Sequence, residues 1–311
     1  MAIQWYPGHM HKARKEIIEA LPKIDLVIEV LDARIPFSSE NPVITQVRSR
    51  DGYTKPCIKV LSKTDLADPE ITQLWCDHFE KETSVKVMPI SITQDKLAQR
   101  LISQTRKLFP DRADSKPIRA MIMGIPNVGK SSLINVLAGR TIAKVGNEPA
   151  VTKRQQRIDI GDGIVLSDTP GILWPKVENQ HSAYRLASTG AIKDTAMDYP
   201  DVAYFLLEYL FQTYPEALLA RYELDTLPSS PIEFLDTIGA KRGCLRGGGQ
   251  IDLNKISTLF IHEIRSAQLG KMSFETPSMM LKELDEVELI KAEKERLNKE
   301  RKEAFKKGKR S

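Results

Sequence analysis

The segment GIPNVGKSS, Gly124 to Ser132, fills every fixed position of G-x-x-x-x-G-K-[ST] and follows the apolar run IRAMIM, which reads as a buried strand. Residue types at this spacing grip a triphosphate. Glycines at 124 and 129 allow a turn tight enough for successive backbone N–H groups to face phosphate oxygens, Lys130 reaches the β- and γ-phosphates, and the Ser131 hydroxyl is placed to take Mg²⁺. The helix opening at SSLINVLAG turns its positive end toward the same anion, so Asn127, Val128, Gly129, Lys130, Ser131 and Ser132 form the expected cradle.

Further along, IVLSDTPG is an apolar strand that delivers Asp168, suited to the Mg²⁺ shell, and Gly171, whose N–H can approach a γ-phosphate. A guanine site also needs an Asn/Thr-Lys-x-Asp at a strand end, and nothing downstream of Gly171 supplies one. Upstream, PCIKVLSKTD does, with Ser62, Lys63, Thr64 and Asp65. The Asp65 carboxylate matches the N1–H and exocyclic amine that guanine offers together and adenine does not, and the Lys63 stem can lie along the base. VKVMPISI then brings Ser91 and Ile92, where a backbone N–H can meet the guanine O6. Ser62 stands where Asn is usual, so a bidentate amide contact is exchanged for one hydroxyl hydrogen bond, at a cost of about 1 kcal/mol.

Base-reading segments therefore precede phosphate-reading segments, the reverse of ordinary small GTPases, as in a circular permutation. A doubly wound sheet tolerates this because all these loops lie at the carboxyl ends of parallel strands, whatever their order in the chain. The expected strands IDLVIEVLDA, PCIKVLSKTD, VKVMPIS and IRAMIMG each end in a polar or glycine-containing motif. The expected fold is α/β: a permuted P-loop GTPase domain with a mostly parallel, doubly wound sheet over 1–175, followed by an all-α domain over 176–280 and a charged tail over 281–311. The first unit divides into a base-reading half, 1–110, a polar linker, 110–118, and a phosphate-reading half, 119–175.

WYPGHM at the N-terminus, LDARIP from Leu31 to Pro36, the permuted order and KRGCLRGGG together resemble the ribosome biogenesis GTPase A family, also called YlqF-like, over essentially the whole chain. The resemblance implies a bacterial GTPase that binds an immature large ribosomal subunit late in assembly and leaves after hydrolysis. It also casts His9 as a group that approaches the γ-phosphate when the ribosome arranges the N-terminal segment, and Asp32 and Arg34 as an ion pair supporting the site. Read from residues alone, His9 could equally be a surface or capping residue, and Asp32 and Arg34 could merely cap the turn before Pro36.

Composition is compatible with this. A chain of 311 residues can bury a sizeable core, and neither an apolar run of about 18 residues nor a hydrophobic N-terminal segment is present, so a cytosolic, non-membrane protein is expected, acting as a monomer. Cys57, Cys76 and Cys244 lack paired or zinc-like spacing and read as buried thiols. The net charge of +5 is uneven, with eight Lys or Arg from Arg296 onward against Glu300 and Glu303. That tail is either a phosphate-backbone contact or a solvated helix laced by i,i+4 pairs.

Between Gly171 and the tail, YRLASTGAI, DVAYFLLEYLFQTYP, PIEFLDTIGAKRG and DLNKISTLFIHEIRSAQLG carry helical apolar spacing. Their basic residues Lys241, Arg242, Arg246, Arg265 and Lys271, with a flexible turn at Gly247 to Gly249, form a candidate rRNA-facing surface, while Tyr204, Phe205, Tyr209 and Phe211 read as bundle core.

Ile172 and Leu173 follow Gly171 where Ras-type enzymes carry a water-orienting glutamine, so catalysis must be arranged otherwise. His9 is one candidate for orienting the water. A potassium ion held beside the bridging oxygen by Asn127 is another, resembling potassium-stimulated GTPases, although Asn127 could simply shape the turn. The polar loop KVGNEPAVTKRQQRIDI is expected to order around γ-phosphate and Mg²⁺, with Thr152 as the switch threonine ahead of Thr141, and with Lys153, Arg154 and Arg157 moving with it. The other function open to these residues is a regulatory GTPase acting on a protein or tRNA-modification partner without rRNA. A small-molecule kinase is a distant third, since no acceptor-substrate base accompanies the loop.

Overall fold

The computed structural model describes residues 3, 5–50, 53–112, 116–143 and 156–308. In chain order its elements are α1 (Gly8–Ala20), β1 (Leu26–Asp32), α2 (Pro36–Ser39), α3 (Pro42–Arg48), β2 (Ser49–Arg50), β3 (Tyr53–Thr54), β4 (Cys57–Ser62), α4 (Pro69–Phe79), β5 (Val85–Pro89) and α5 (Leu97–Lys107). Then follow β6 (Ile118–Gly124), α6 (Lys130–Ala138), β7 (Gln156–Asp159), β8 (Ile164–Asp168), α7 (Gln180–Ser188), α8 (Tyr199–Thr213), α9 (Pro215–Tyr222), α10 (Pro231–Lys241), α11 (Leu253–Arg265) and α12 (Pro277–Gly308).

Strands β1 and β4 are buried along their whole length, as near-continuous apolar runs are when helices cover both faces of a sheet. The sheet runs β5-β4-β1-β6-β8-β7, with the first five strands parallel and β7 antiparallel to β8. Charged residues interrupt this core. Glu29 and Lys59 face each other in register, and the Lys59 ammonium donates to Glu40 at 2.6 Å and Glu82 at 2.7 Å. Parallel neighbours require crossovers; α4 supplies the one between β4 and β5, and α5 carries the chain from β5 to β6 on the far side of β1. Asp68 starts α4 by accepting from the N–H groups of Glu70 and Ile71.

One segment departs from the expectation: Gln156–Asp159, the end of the stretch read as a polar loop, is strand β7. Only Ile158 is buried there, so four residues gave too short an alternation to recognise.

After β8 the helices pack around Val202, Leu206, Phe234, Ile238 and Phe260. Phe205, Tyr209 and Phe211 join this core partly buried, whereas Tyr204 is among the exposed hydrophobics at 39%. The turn expected to be flexible at Gly247 to Gly249 is closed by a bridge between Leu245 and Ile251 and by the Arg246 N–H on the Gln250 carbonyl at 2.8 Å.

The chain then returns to the sheet. The N–H groups of Met272 and Phe274 donate to the carbonyls of Leu66 and Arg34, and the Trp75 indole donates to the Glu275 carbonyl. On α7, Arg185 is buried and grips Glu283 at 2.6 Å and Glu275 at 3.2 Å; Glu275 in turn accepts from the backbone and hydroxyl of Ser38 on α2. The division expected at 280 and 281 falls inside α12, where Met280 and Glu283 are buried among mostly exposed or half-buried neighbours.

Candidate nucleotide site

Because β1, β4, β5, β6 and β8 run parallel, the loops after them share one edge of the sheet. Strand β1 lies between β4, which ends in the base-reading motif, and β6, which ends in the phosphate loop. Ser62 closes the gap. It is buried, and its hydroxyl lies 2.6 Å from the Val128 carbonyl and 2.9 Å from the Leu31 carbonyl, donating its one proton to either. The residue three before Asp65 therefore touches the residue two before Lys130. The Ser62 hydroxyl thus braces the two loops.

Lys63 takes a left-handed backbone, φ 60°, and its ammonium donates to the Asp32 carboxylate at 2.9 Å. Asp32 also receives Arg34 Nε at 2.9 Å, Nη2 at 2.8 Å and the Arg34 backbone N–H at 3.1 Å. Burial pushes the Asp32 carboxyl upward, but Arg34 and Lys63 outweigh it and hold it well below the usual carboxylate range. Burial draws the Lys63 ammonium below its ordinary value while Asp32 opposes. Thr64 donates its N–H to the Ile90 carbonyl at 3.2 Å, fixing this turn against the one carrying Ser91 and Ile92; Asp65 and Ile92 are exposed and Ser91 is half-buried.

At the phosphate end Lys130 is buried, its ammonium on the carbonyls of Gly124 at 3.0 Å and Ile125 at 2.8 Å. Burial lowers it to about 8 and raises the neighbouring Asp168 carboxyl to about 6, each group opposing the other's shift. Asp168 Oδ1 is buried with no hydrogen-bond partner among the described residues. An orphaned carboxylate oxygen suits a hard cation, and the half-buried Ser131 directly follows Lys130, so the residues fit Mg²⁺. Thr152, with Lys153 and Arg154, lies outside the described residues; Thr141 is exposed and Arg157 sits exposed on β7. A Cβ on Gly124 would meet the Val30 carbonyl at 2.5 Å, and one on Gly171 would meet Pro126 backbone atoms at 2.9 and 3.0 Å and Lys130 Nζ at 3.1 Å. Gly171 is thereby seated against the phosphate loop.

Val128 is buried, Gly129 is the left-handed N-cap of α6 and Ser132 is half-buried in its first turn. Asn127, φ 57°, donates Nδ2 to the Gly190 carbonyl at 2.8 Å, linking the phosphate loop to the segment after α7. His9 is exposed on the first turn of α1; the next residue, Met10, is buried with its sulfur accepting the Leu173 N–H at 3.5 Å. Ile172 and Leu173 are both buried. Asn41, which the sequence reading passed over, is fully buried and donates Nδ2 to the Ile172 carbonyl at 3.1 Å while its oxygen accepts the Val43 N–H. Its signal was present as Asn before Pro42, a turn-starting pair.

The basic residues expected on the rRNA surface are spread. Arg265 caps the end of α7, donating to the carbonyls of Ser188 and Ala187 and pairing with Asp194 at 2.9 Å. Lys241 donates to the carbonyls of Tyr222 and Glu223, Arg242 lies 3.5 Å from Glu263, Arg246 pairs with Asp252, and Lys271 is exposed. The three cysteines are free and buried.

A parallel α/β sheet with a phosphate loop, a D-x-x-G segment and a base-reading turn braced against each other defines a P-loop GTPase whose halves are permuted. The model of the family described as 50S ribosome-binding GTPase matches residues 119–208, starting at β6, after the base-reading segments. Ribosome biogenesis GTPase A of Priestia megaterium is 46% identical over 287 residues, covering 89% of this chain and 98% of that one, and its Thermotoga maritima counterpart is 33% identical, covering 88% and 95%. The GNP-bound crystal structure of YlqF from T. maritima aligns with a TM-score of 0.60 at 27% identity, covering 86% of this chain and 98% of that one. The chain belongs to the ribosome biogenesis GTPase A family.

Proposed function

We propose that this protein is a GTP-hydrolysing assembly factor that binds a precursor of the large ribosomal subunit in the GTP state, late in maturation, and is released after hydrolysis. The observation that supports the site is the Ser62 contact with Val128, which brings the base-reading and phosphate-reading loops together. The relatives named for ribosome biogenesis carry the partner. Among the described residues no helix is long and apolar enough to cross a membrane. The protein acts in the cytoplasm, as a monomer.

In this reading Asp65, with Lys63, Thr64, Ser91 and Ile92 around it, reads guanine. Asn127 to Ser132 and Gly171 hold the phosphates. Ser131, Thr152 and Asp168 hold Mg²⁺, which when bound offsets charge on the β- and γ-oxygens. With apolar Ile172 and Leu173 turned inward, His9 orients the attacking water, and the Met10 sulfur on Leu173 supports this by tying α1 to the segment after Gly171. Asn127 would hold a potassium ion, which would supply further positive charge; hydrolysis in KCl exceeding that in NaCl at equal ionic strength is the result expected of it. Intrinsic turnover is slow and the ribosomal particle accelerates it. Lys241, Arg242, Arg246, Arg265 and Lys271 belong to the RNA-facing side. The test is cosedimentation with purified large-subunit precursors: binding with a non-hydrolysable GTP analogue and loss with GDP are expected, and equal or absent binding in both states contradicts the proposal.

A further inference from the structure

Strand β5 is the outer strand of the sheet, and helix α5 runs beside it. Between them lies a groove of about 370 Å³ whose floor is residues 87–89 and whose wall is one face of α5. That face carries Lys96, Arg100 and Lys107, all exposed, and none is paired with an acidic side chain among the described residues. Among the described residues no acidic side chain lines the groove, while Gln99 and Gln104 add neutral donors. The opposite face of α5 is committed to the core through Leu97, Leu101 and Thr105, so the polar wall has no packing role. Lys96 sits at the N-cap with φ 57° and no cap hydrogen bond from its side chain, adding an uncapped helix start to the same positive end.

We propose that this groove binds the sugar–phosphate backbone of RNA, as a contact on the base-reading half separate from the helical region. The inference rests on the reading that the partner is a ribosomal precursor. Along the helix axis Lys96 and Arg100 are about 6 Å apart and Arg100 and Lys107 about 10 Å, a row of cations facing one way, which suits a repeating anion. With no aromatic ring among the described lining residues there is no platform on which a base could stack, so recognition is of backbone and not of sequence. An extended peptide is the poorer occupant, because β5 has only five residues and ends in Pro89, which cannot donate to an added strand.

The experiment compares the full chain with its Arg100→Gln/Lys107→Gln variant, using a fluorescently labelled RNA duplex and, separately, purified large-subunit precursors across a range of KCl. Unchanged GDP affinity verifies that the variant is folded. The variant is expected to bind the duplex about tenfold more weakly at low salt, with the slope of log K against log salt reduced by about 1.5. Unchanged affinity and slope would overturn the groove, as would an acidic peptide binding the wild type more tightly than RNA. Failure of the wild type to bind precursors at all sinks the assembly-factor reading, whereas wild-type binding with an indifferent variant sinks the groove alone.

Discussion

The ammonium of Lys63 rests on the carboxylate of Asp32 at 2.9 Å, so the LDARIP segment at the end of β1 holds a side chain of the base-reading turn at the end of β4. Asp32 and Arg34 are each 2% exposed, and breaking such a pair strands a buried charge. Asp32→Asn is expected to lower unfolding stability by about 3 kcal/mol and to weaken GTP and GDP alike, since the defect lies at the base end. Urea denaturation and titration with a fluorescent nucleotide measure both; a variant that loses only GTP would place the defect at the phosphates.

Ser62 makes a sharper case, because its hydroxyl is the bridge between the halves. Ser62→Ala leaves the Val128 and Leu31 carbonyls without that donor, at about 1–3 kcal/mol. The loss should appear in nucleotide affinity while GTP remains preferred over ATP, because Asp65 is untouched. Competition binding reads this directly.

Gly171→Ala drives a methyl into the backbone of Pro126 and toward Lys130 Nζ. Backbone cannot yield as a flexible side chain does, so the D-x-x-G segment must withdraw from the phosphate loop. GTP affinity is expected to fall at least about tenfold, or about 1.4 kcal/mol, relative to GDP, if the Gly171 N–H serves the γ-phosphate as proposed. An unchanged GTP-to-GDP ratio would contradict that assignment.

Glu29 gives the stability a pH signature. Burial and then the nearby Glu40 raise it from 4.5 to about 8, with Lys59, the Asn41 N–H and Arg48 opposing. A carboxyl raised in the fold favours the protonated native state, so its contribution is complete below 4.5 and is lost as pH rises toward 8. At about 1.4 kcal/mol per unit of difference, Glu29→Gln should gain on the wild type by a few kcal/mol across that window. Denaturant midpoints measured at successive pH values would show a constant gap if Glu29 titrated normally.

The parallel strands and their terminal motifs were legible because each is a long apolar run ending in a chemically distinctive turn, and the permuted order follows from where the base-reading motif falls. Strand β7 was hidden because its pairing partner, not its own four residues, makes it a strand. The brace by Ser62, the anchoring of Asn127 on Gly190 and the Asn41 contact with Ile172 join residues far apart in sequence, and no local pattern announces such contacts. The grip of Arg185 on Glu275 and Glu283 was equally invisible: a lone arginine in an apolar helix shows no partner until α12 folds back.

The central claim, that early and late loops enclose one guanine nucleotide, is tested most directly by measuring the affinities of GTP and xanthosine triphosphate for the wild type and for Asp65→Asn. Replacing the carboxylate by an amide turns an acceptor of the guanine amine into a donor to the xanthine oxygen. The account predicts that preference passes from GTP to xanthosine triphosphate while Lys130→Ala abolishes binding of both; an Asp65→Asn variant that keeps the wild-type preference contradicts it.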